Sequence, residues 1–271
     1  MLGEGNRSMA TETKGDGAAA GGQWLATHAL NPRARLRLFC FPYAGGSALI
    51  YRKWQDAFPA SSGVEVLPVQ LPGRGKRRNE PAFARYEPLV EALADALSPH
   101  FDRPFAFFGH SMGALLAFEL ARLSQQRGLP APQRLFASGS PAPHKRSDKP
   151  PTYDLPDAEF IEELRRLKGT PTQVLEHPEL MQLMMPLLRA DFALTQTYVY
   201  REGRRLNCPF TVYGGREDEE VRGERISAWC ELTSGGCSLK EFEGGHFFIH
   251  TAEEQLLQAL KLELLRPLMP R

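Results

Sequence analysis

Residues 104–116 read Pro104-Phe105-Ala106-Phe107-Phe108-Gly109-His110-Ser111-Met112-Gly113-Ala114-Leu115-Leu116. The first five form a short aromatic run of the kind that fills a buried strand, and Gly109 bounds it. From Met112 to Gln126, Leu115, Leu116, Phe118, Leu120 and Leu123 recur at helical spacing, with Gly128 as a C-terminal stop. Between strand and helix lies Gly109-His110-Ser111-Met112-Gly113, a Gly-x-Ser-x-Gly pentapeptide. The pattern alone is short and weak. In a strand–turn–helix setting it becomes specific. The glycines remove side chains where strand and helix converge on a strained turn, and the serine stands at its tip. The helix N-terminus behind it offers a free backbone N–H and a favourable dipole to a developing oxyanion. Ser111 is the candidate nucleophile; the alternative is an ordinary serine in a glycine-bracketed turn.

Outward from this stretch the same alternation repeats. Apolar runs at 35–41, 64–69, 134–138, 209–213 and 238–242 read as further strands, and helical patterns occupy 86–101 and 252–265. Strands alternating with helices predict a mostly parallel central sheet with helices on both faces; with the pentapeptide, this is the α/β-hydrolase fold. Residues 141–205 break the pattern. A loop rich in Pro, Lys, Arg and Asp leads into helices at 157–167, with Asp157 as an N-terminal cap signal, and at 178–200. We expect a helical lid insertion here, against the plainer reading of helices packed on the sheet. Residues 1–25 read as a disordered tail without the apolar stretch of a secretory signal, which leaves 26–271 as one domain.

The bulk composition narrows the function classes. At 271 residues, 42% hydrophobic, 24% charged and net charge +1, the chain lacks the basic excess of a nucleic-acid binder. No apolar run approaches the roughly eighteen residues of a membrane span. Cys40, Cys208, Cys230 and Cys237 contain no Cys-x-x-Cys pair and read as isolated buried thiols, consistent with a reducing cytoplasm. No cluster has metal-ligand spacing, so neither metal nor cofactor is expected, and the chain is expected to be a monomer.

A serine hydroxyl needs a base. Of the seven histidines, His110 lies inside the pentapeptide and would point away from the hydroxyl, while His28, His100, His144 and His177 fall in the tail, loops or helix ends. His246 follows Gly244-Gly245 after the last strand, at the sheet end where α/β proteins gather reactive groups. It is favoured over His250. The chain order serine, acid, histidine directs the acid to Gly214-Gly215-Arg216-Glu217-Asp218-Glu219-Glu220-Val221. Asp218 is the choice and Glu217 the runner-up; the remaining acids read as a solvated loop. The loop Phe41-Pro42-Tyr43-Ala44-Gly45-Gly46-Ser47 should supply the second oxyanion donor, so the backbone amides of Ala44 and Met112 form the candidate oxyanion hole. A tight turn chosen only for its geometry is the alternative.

These loops resemble the type II thioesterases, stand-alone editing enzymes of polyketide and non-ribosomal peptide synthesis. The resemblance rests on Phe41 to Ser47, on Leu71-Pro72-Gly73-Arg74-Gly75 with Arg77, on the Ser111 pentapeptide, on Gly214-Gly215 with Asp218, Val221 and Trp229, and on Gly244-Gly245-His246-Phe247-Phe248. It spans about 35–265 in the family's order. Glu217 stands where an aspartate is common and Glu219 where a proline is common. The resemblance implies hydrolysis of acyl thioesters on the phosphopantetheine arm of an acyl or peptidyl carrier protein, removing aberrant or stalled acyl groups. A chain-releasing or medium-chain fatty acyl thioesterase, or an esterase or lipase of the same fold, is the alternative. Lys76, Arg77 and Arg78, with Lys145, Arg146 and Lys149, would form a docking surface for an acidic carrier, or else be solvated basic loops. Met181, Met184 and Met185 would line an acyl pocket, or else pack a helix core.

Overall fold

A computed structural model of the chain describes residues 24–27, 29–146 and 149–265. Six strands form one sheet: β1 (Leu36–Phe41), β2 (Val64–Pro68), β3 (Phe105–His110), β4 (Arg134–Ser138), β5 (Phe210–Gly215) and β6 (Cys237–Phe242). Their order is β2-β1-β3-β4-β5-β6, and every neighbouring pair is parallel. The helices are α1 (Trp54–Ala57), α2 (Tyr86–Leu97), α3 (Met112–Gln126), α4 (Asp157–Leu167), α5 (Thr172–Leu175), α6 (Pro178–Gln196), α7 (Glu224–Ser227), α8 (Phe248–Thr251) and α9 (Glu253–Leu265).

Side-chain alternation along the strands divides the core in two. Phe39 and Phe41 of β1 and Phe105 and Phe107 of β3 face one cluster, closed by Leu89 and Leu93 of α2 and Leu115, Leu116 and Leu120 of α3. Leu38, Cys40, Ala106 and Phe108 face the other, closed by Trp54 of α1 and Leu256 and Leu260 of α9. Burial on both faces is why β1 and β3 read as nearly continuous apolar runs, each large side chain contributing about 1.5–3 kcal/mol. At the edge, β6 is mostly exposed, and its Lys240 and Glu241 discourage pairing with another chain. Near the start of the strands, Arg37 is buried opposite Glu65 on β2, with Nε donating to Oε2 at 3.2 Å.

Helix ends differ from the sequence reading for local reasons. The helix expected over 86–101 stops at Leu97, because Pro99 turns the next residues into a short 3-10 segment. The helix expected to reach 200 stops at Gln196, where Thr-Tyr-Val-Tyr, poor helix formers, follow. Strands β3 and β5 each run on through residues assigned to turns, to His110 and Gly215.

Two expectations need correction. The boundary of the tail at residue 25 is too late: Trp24 and Leu25 are buried. Leu25 bridges Val69, and the Arg77 guanidinium stacks 4.1 Å from the Trp24 ring centre. The rest of the expected tail, residues 1–23, lies outside the described residues, as does His28. The second correction concerns the cysteines. Cys40 and Cys208 are free and buried, but Cys230 and Cys237 form a disulfide. The 3-10 turn at Ala228–Leu232 doubles back into β6 and sets their Cα atoms 5.3 Å apart, within disulfide reach. A seven-residue separation carries no such signal in sequence. The cysteines therefore no longer argue for a reducing compartment.

Between β4 and β5, helices α4, α5 and α6 build a third cluster of their own from Phe160, Leu164, Leu175, Met181 and Leu188. Among the described residues no helix is long and apolar enough to cross a membrane.

Candidate active site

The strand order reverses at β1, which lies between β2 and β3, so the chain leaves β1 and β3 toward opposite sides. Such a switch point opens a crevice at the strands' C-terminal ends. The loops after β1 and β3 are therefore neighbours, and their backbones touch. A Cβ on Gly113 would lie 2.1 Å from the Phe41 carbonyl oxygen, and one on Gly109 2.0 Å from that of Gly113. Any side chain at either position would force β1, β3 and α3 apart. Ser111, at the tip, holds φ 54° and ψ −114°, a strained conformation for a residue with a Cβ. The turn is secured by the Ser111 amide donating to Ser138 O at 2.7 Å and by the Tyr86 hydroxyl donating to Met112 O at 3.1 Å.

Ala44 and Met112 border the same cavity as Ser111, and their amides have no hydrogen-bond partner among the described residues. The neighbouring amide of Gly45 is occupied: it donates to Asp191 Oδ2 at 2.7 Å. Two unpaired donors beside a strained serine are suited to a carbonyl oxygen that becomes negative.

Asp218 and His246 come together from the loops after β5 and β6, with His246 Nδ1 2.7 Å from Asp218 Oδ2. Asp218 is 2% exposed, and its Oδ1 accepts from the amides of Glu220 and Val221, each at 3.1 Å. Three donors on one carboxylate fix its orientation, and the carboxylate fixes the imidazole tautomer with the proton on Nδ1. The runner-up, Glu217, is exposed. His246 borders the Ser111 cavity. The rival histidine, His250, instead sits 2.8 Å from the Tyr43 hydroxyl through Nε2, on the outer side of the loop that carries Ala44.

His110 points away from the serine tip, as expected, and is fully buried. Its Nε2 lies 2.9 Å from His246 O and its Nδ1 2.9 Å from Ser138 Oγ. A carbonyl can only accept, so Nε2 carries the proton and the Ser138 hydroxyl donates to Nδ1. Burial, followed by the nearby His246, pushes the His110 pKa well below the usual range, which keeps the ring neutral. One imidazole thus ties the Ser111 turn to the His246 loop.

The cavity, about 290 Å³, is roofed by the insertion. Leu164 and Leu167 of α4 and Leu188 and Phe192 of α6 supply its apolar wall. Met181, Met184 and Met185 pack in the insertion's own cluster and do not border the cavity, so the plainer reading of the methionines holds. The insertion is fastened by a buried ion pair that sequence reading missed. Arg74 Nη1 and Nη2 donate to Asp191 Oδ2 and Oδ1 at 2.7 and 2.8 Å, and Nη1 also reaches Gly46 O at 3.2 Å. The motif at Leu71 to Gly75 therefore joins α6 to the Ala44 loop. An acid amid the apolar run Leu187-Leu188-Arg189-Ala190-Asp191-Phe192 was the available signal.

The six basic residues offered as one surface are separated. Arg77 is buried against Trp24 and bridges Glu80 at 2.6 Å. Lys76 and Arg78 border a different cavity from that of Ser111. Lys145 pairs with Glu224 at 2.7 Å and Lys149 with Glu220 at 3.2 Å, while Arg146 turns into the Ser111 cavity. No group of three or more His, Cys, Asp or Glu among the described residues could hold a metal ion.

Comparison with known proteins agrees with this geometry. The family model described as "Thioesterase domain" matches residues 36–263. Linear gramicidin dehydrogenase LgrE of Brevibacillus parabrevis is 44% identical over 89% of this chain and 92% of its own length. Thioesterase PikA5 of Streptomyces venezuelae is 36% identical over 90% of this chain and 86% of its own. The solved type II thioesterase BorB from the borrelidin biosynthetic cluster superposes with a TM-score of 0.80 at 36% identity, covering 94% of this chain and all (100%) of that one. The chain thus belongs to the thioesterase family, hydrolases of thioester bonds, and has the α/β-hydrolase fold of the type II thioesterases.

Proposed function

We propose that this chain hydrolyses acyl groups from the phosphopantetheine thioester of an acyl or peptidyl carrier protein, with Ser111 as nucleophile, His246 as base and acid, and Asp218 as the orienting carboxylate. The editing of aberrant or stalled acyl groups on a polyketide or non-ribosomal peptide synthase is its proposed role. It acts as a monomer, in the cytoplasm, and the segment 141–205 serves as a lid. The observation that carries the reading is the Asp218–His246 contact of 2.7 Å opening onto the cavity that holds Ser111 and the unpaired Ala44 and Met112 amides.

The chemistry follows from these groups. His246 Nε2 takes the Ser111 proton as Oγ attacks the thioester carbonyl, and the two amides hold the oxyanion. Collapse breaks the C–S bond, and His246 returns its proton to the departing thiolate. Water then enters, gives its proton to His246 and its hydroxyl to the acyl carbon, and Ser111 leaves reprotonated. A thiolate is a better leaving group than an alkoxide, so the same site should favour thioesters over oxygen esters. The test is turnover of matched acyl-thioester and oxygen-ester substrates, on a carrier and free. The reading expects Ser111-dependent hydrolysis, faster on the carrier-bound thioester. Faster hydrolysis of the oxygen ester would favour an esterase.

A further inference from the structure

Among the described residues, the wall of the Ser111 cavity carries more positive than negative charge. Arg146, Lys149, Arg166 and Arg225 border it against only Glu163 and Glu220. Both carboxylates are already engaged. Glu163 is held by Arg166 at 2.8 Å, and Glu220 by Arg166 at 3.0 Å and Lys149 at 3.2 Å. Those contacts hold Glu220 below the usual carboxylate range, so neither acid is free to serve another cation. Among the described residues Arg225 reaches only backbone carbonyls, those of Lys145 at 3.3 Å and Glu220 at 2.5 Å. Arg146 has no carboxylate partner among the described residues; its guanidinium lies over the face of Tyr198, 5.9 Å from the ring centre.

Arg146 and Arg225 are each half-buried, and a guanidinium partly withdrawn from water without a counter-charge is costly unless a ligand supplies one. Burial lowers the Arg146 pKa; Tyr86 and Tyr198 offset part of this, and the charge of Arg225 lowers it again, yet an arginine stays protonated at neutral pH. Two guanidinium groups thus repel each other across a wall shared with the reaction site. An arginine fork is suited to the paired oxygens of a carboxylate or phosphate.

We infer that Arg146 and Arg225 form an anion subsite in the thioester cavity that binds a negatively charged oxygen group of the substrate. The inference rests on the thioesterase reading and adds a substrate class to it. The anion has two possible sources: a carboxylate at the far end of the acyl chain, or the phosphate of the phosphopantetheine arm.

Two arms separate them. The first compares succinyl- with butyryl-N-acetylcysteamine, which carry no phosphate. The second compares butyryl-phosphopantetheine with butyryl-pantetheine, in which only the phosphate differs. The wild type should prefer the anionic member of one pair by about tenfold or more in kcat/KM, mainly through KM, as expected for a charge-assisted contact. Preference in the first arm assigns the acyl carboxylate, and in the second the phosphate. Arg146→Gln should reduce that ratio about tenfold, and Arg146→Lys should restore part of it. The wild-type ratios need no variant, so they decide the matter even if a substitution unfolds the chain. Ser111-dependent turnover with no preference in either arm overturns the subsite and leaves the thioesterase reading standing. No Ser111-dependent turnover of any of the four substrates overturns both.

Discussion

The rim of the sheet and the helical insertion that covers it are built on different principles. The rim consists of four loops, each leaving a strand end and each carrying its reactive group within a few residues of that end. Ser111 follows β3 directly, and Asp218 lies three residues beyond β5. The insertion carries nothing so local. Its consequential residues, Asp191 and Arg146, act through Arg74, Gly45 and Tyr198, partners distant in sequence or on another element. Local chemistry is written in short motifs; chemistry assembled across elements is not.

The largest effect is expected at the rim. Asp218→Asn should keep the fold and lose about 10⁴-fold in kcat, because the imidazole is then held in the wrong tautomer. Steady-state kinetics with an acyl thioester checks this, and a loss below about tenfold would remove Asp218 from the role assigned to it.

The seam between rim and insertion is next. Asp191→Ala leaves the Arg74 guanidinium buried and unpaired, which should cost about 3–5 kcal/mol in denaturant unfolding. Replacing both partners, Arg74→Met with Asp191→Leu, should recover most of that stability but not the hold on Gly45. The double variant should therefore be stable and slow in kcat. A stable double variant with wild-type kcat would show that the clamp serves the fold alone.

His110 sharpens the comparison through pH. The folded state keeps this ring neutral well below the usual range, whereas an unfolded histidine protonates near about 6.5. Below that pH the unfolded chain binds a proton the folded one refuses. Stability therefore falls as pH drops from about 6.5 toward the depressed folded value, at up to about 1.4 kcal/mol per pH unit from this residue. His100 and His250 are shifted the same way, so the readout is the difference between wild type and His110→Gln. The variant should lose part of the slope between pH 7 and pH 5; an unchanged slope would place the proton uptake elsewhere.

The smallest effect is expected at Arg77, which packs on Trp24 outside the Ser111 cavity. Arg77→Ala removes the stack on Trp24 and should lower stability by about 1–2 kcal/mol without changing KM for a carrier substrate. A raised KM would return Arg77 to the docking surface.

The same contrast explains what the sequence made legible. The parallel sheet and the pairing of Asp218 with His246 were readable because each depends on period, chain order or a loop at a strand end. His246 needed only two glycines and a strand before it. Trp24 was missed because its neighbours look unstructured, and its partner Arg77 looks like a solvated charge. Nothing local distinguishes Arg146, which turns inward, from the neighbouring Lys145 and Lys149. Cys230 and Cys237 read as thiols because the turn that joins them leaves no period in the chain.

The central claim is that Ser111 attacks a thioester in the cavity it shares with His246. Its most direct test is the rate of acyl release from an acyl-phosphopantetheinyl carrier protein by wild type and by Ser111→Ala, each confirmed folded by its melting curve. Ser111→Ala should be at least about 10⁴-fold slower, near the uncatalysed rate. Equal release by the two proteins would contradict it.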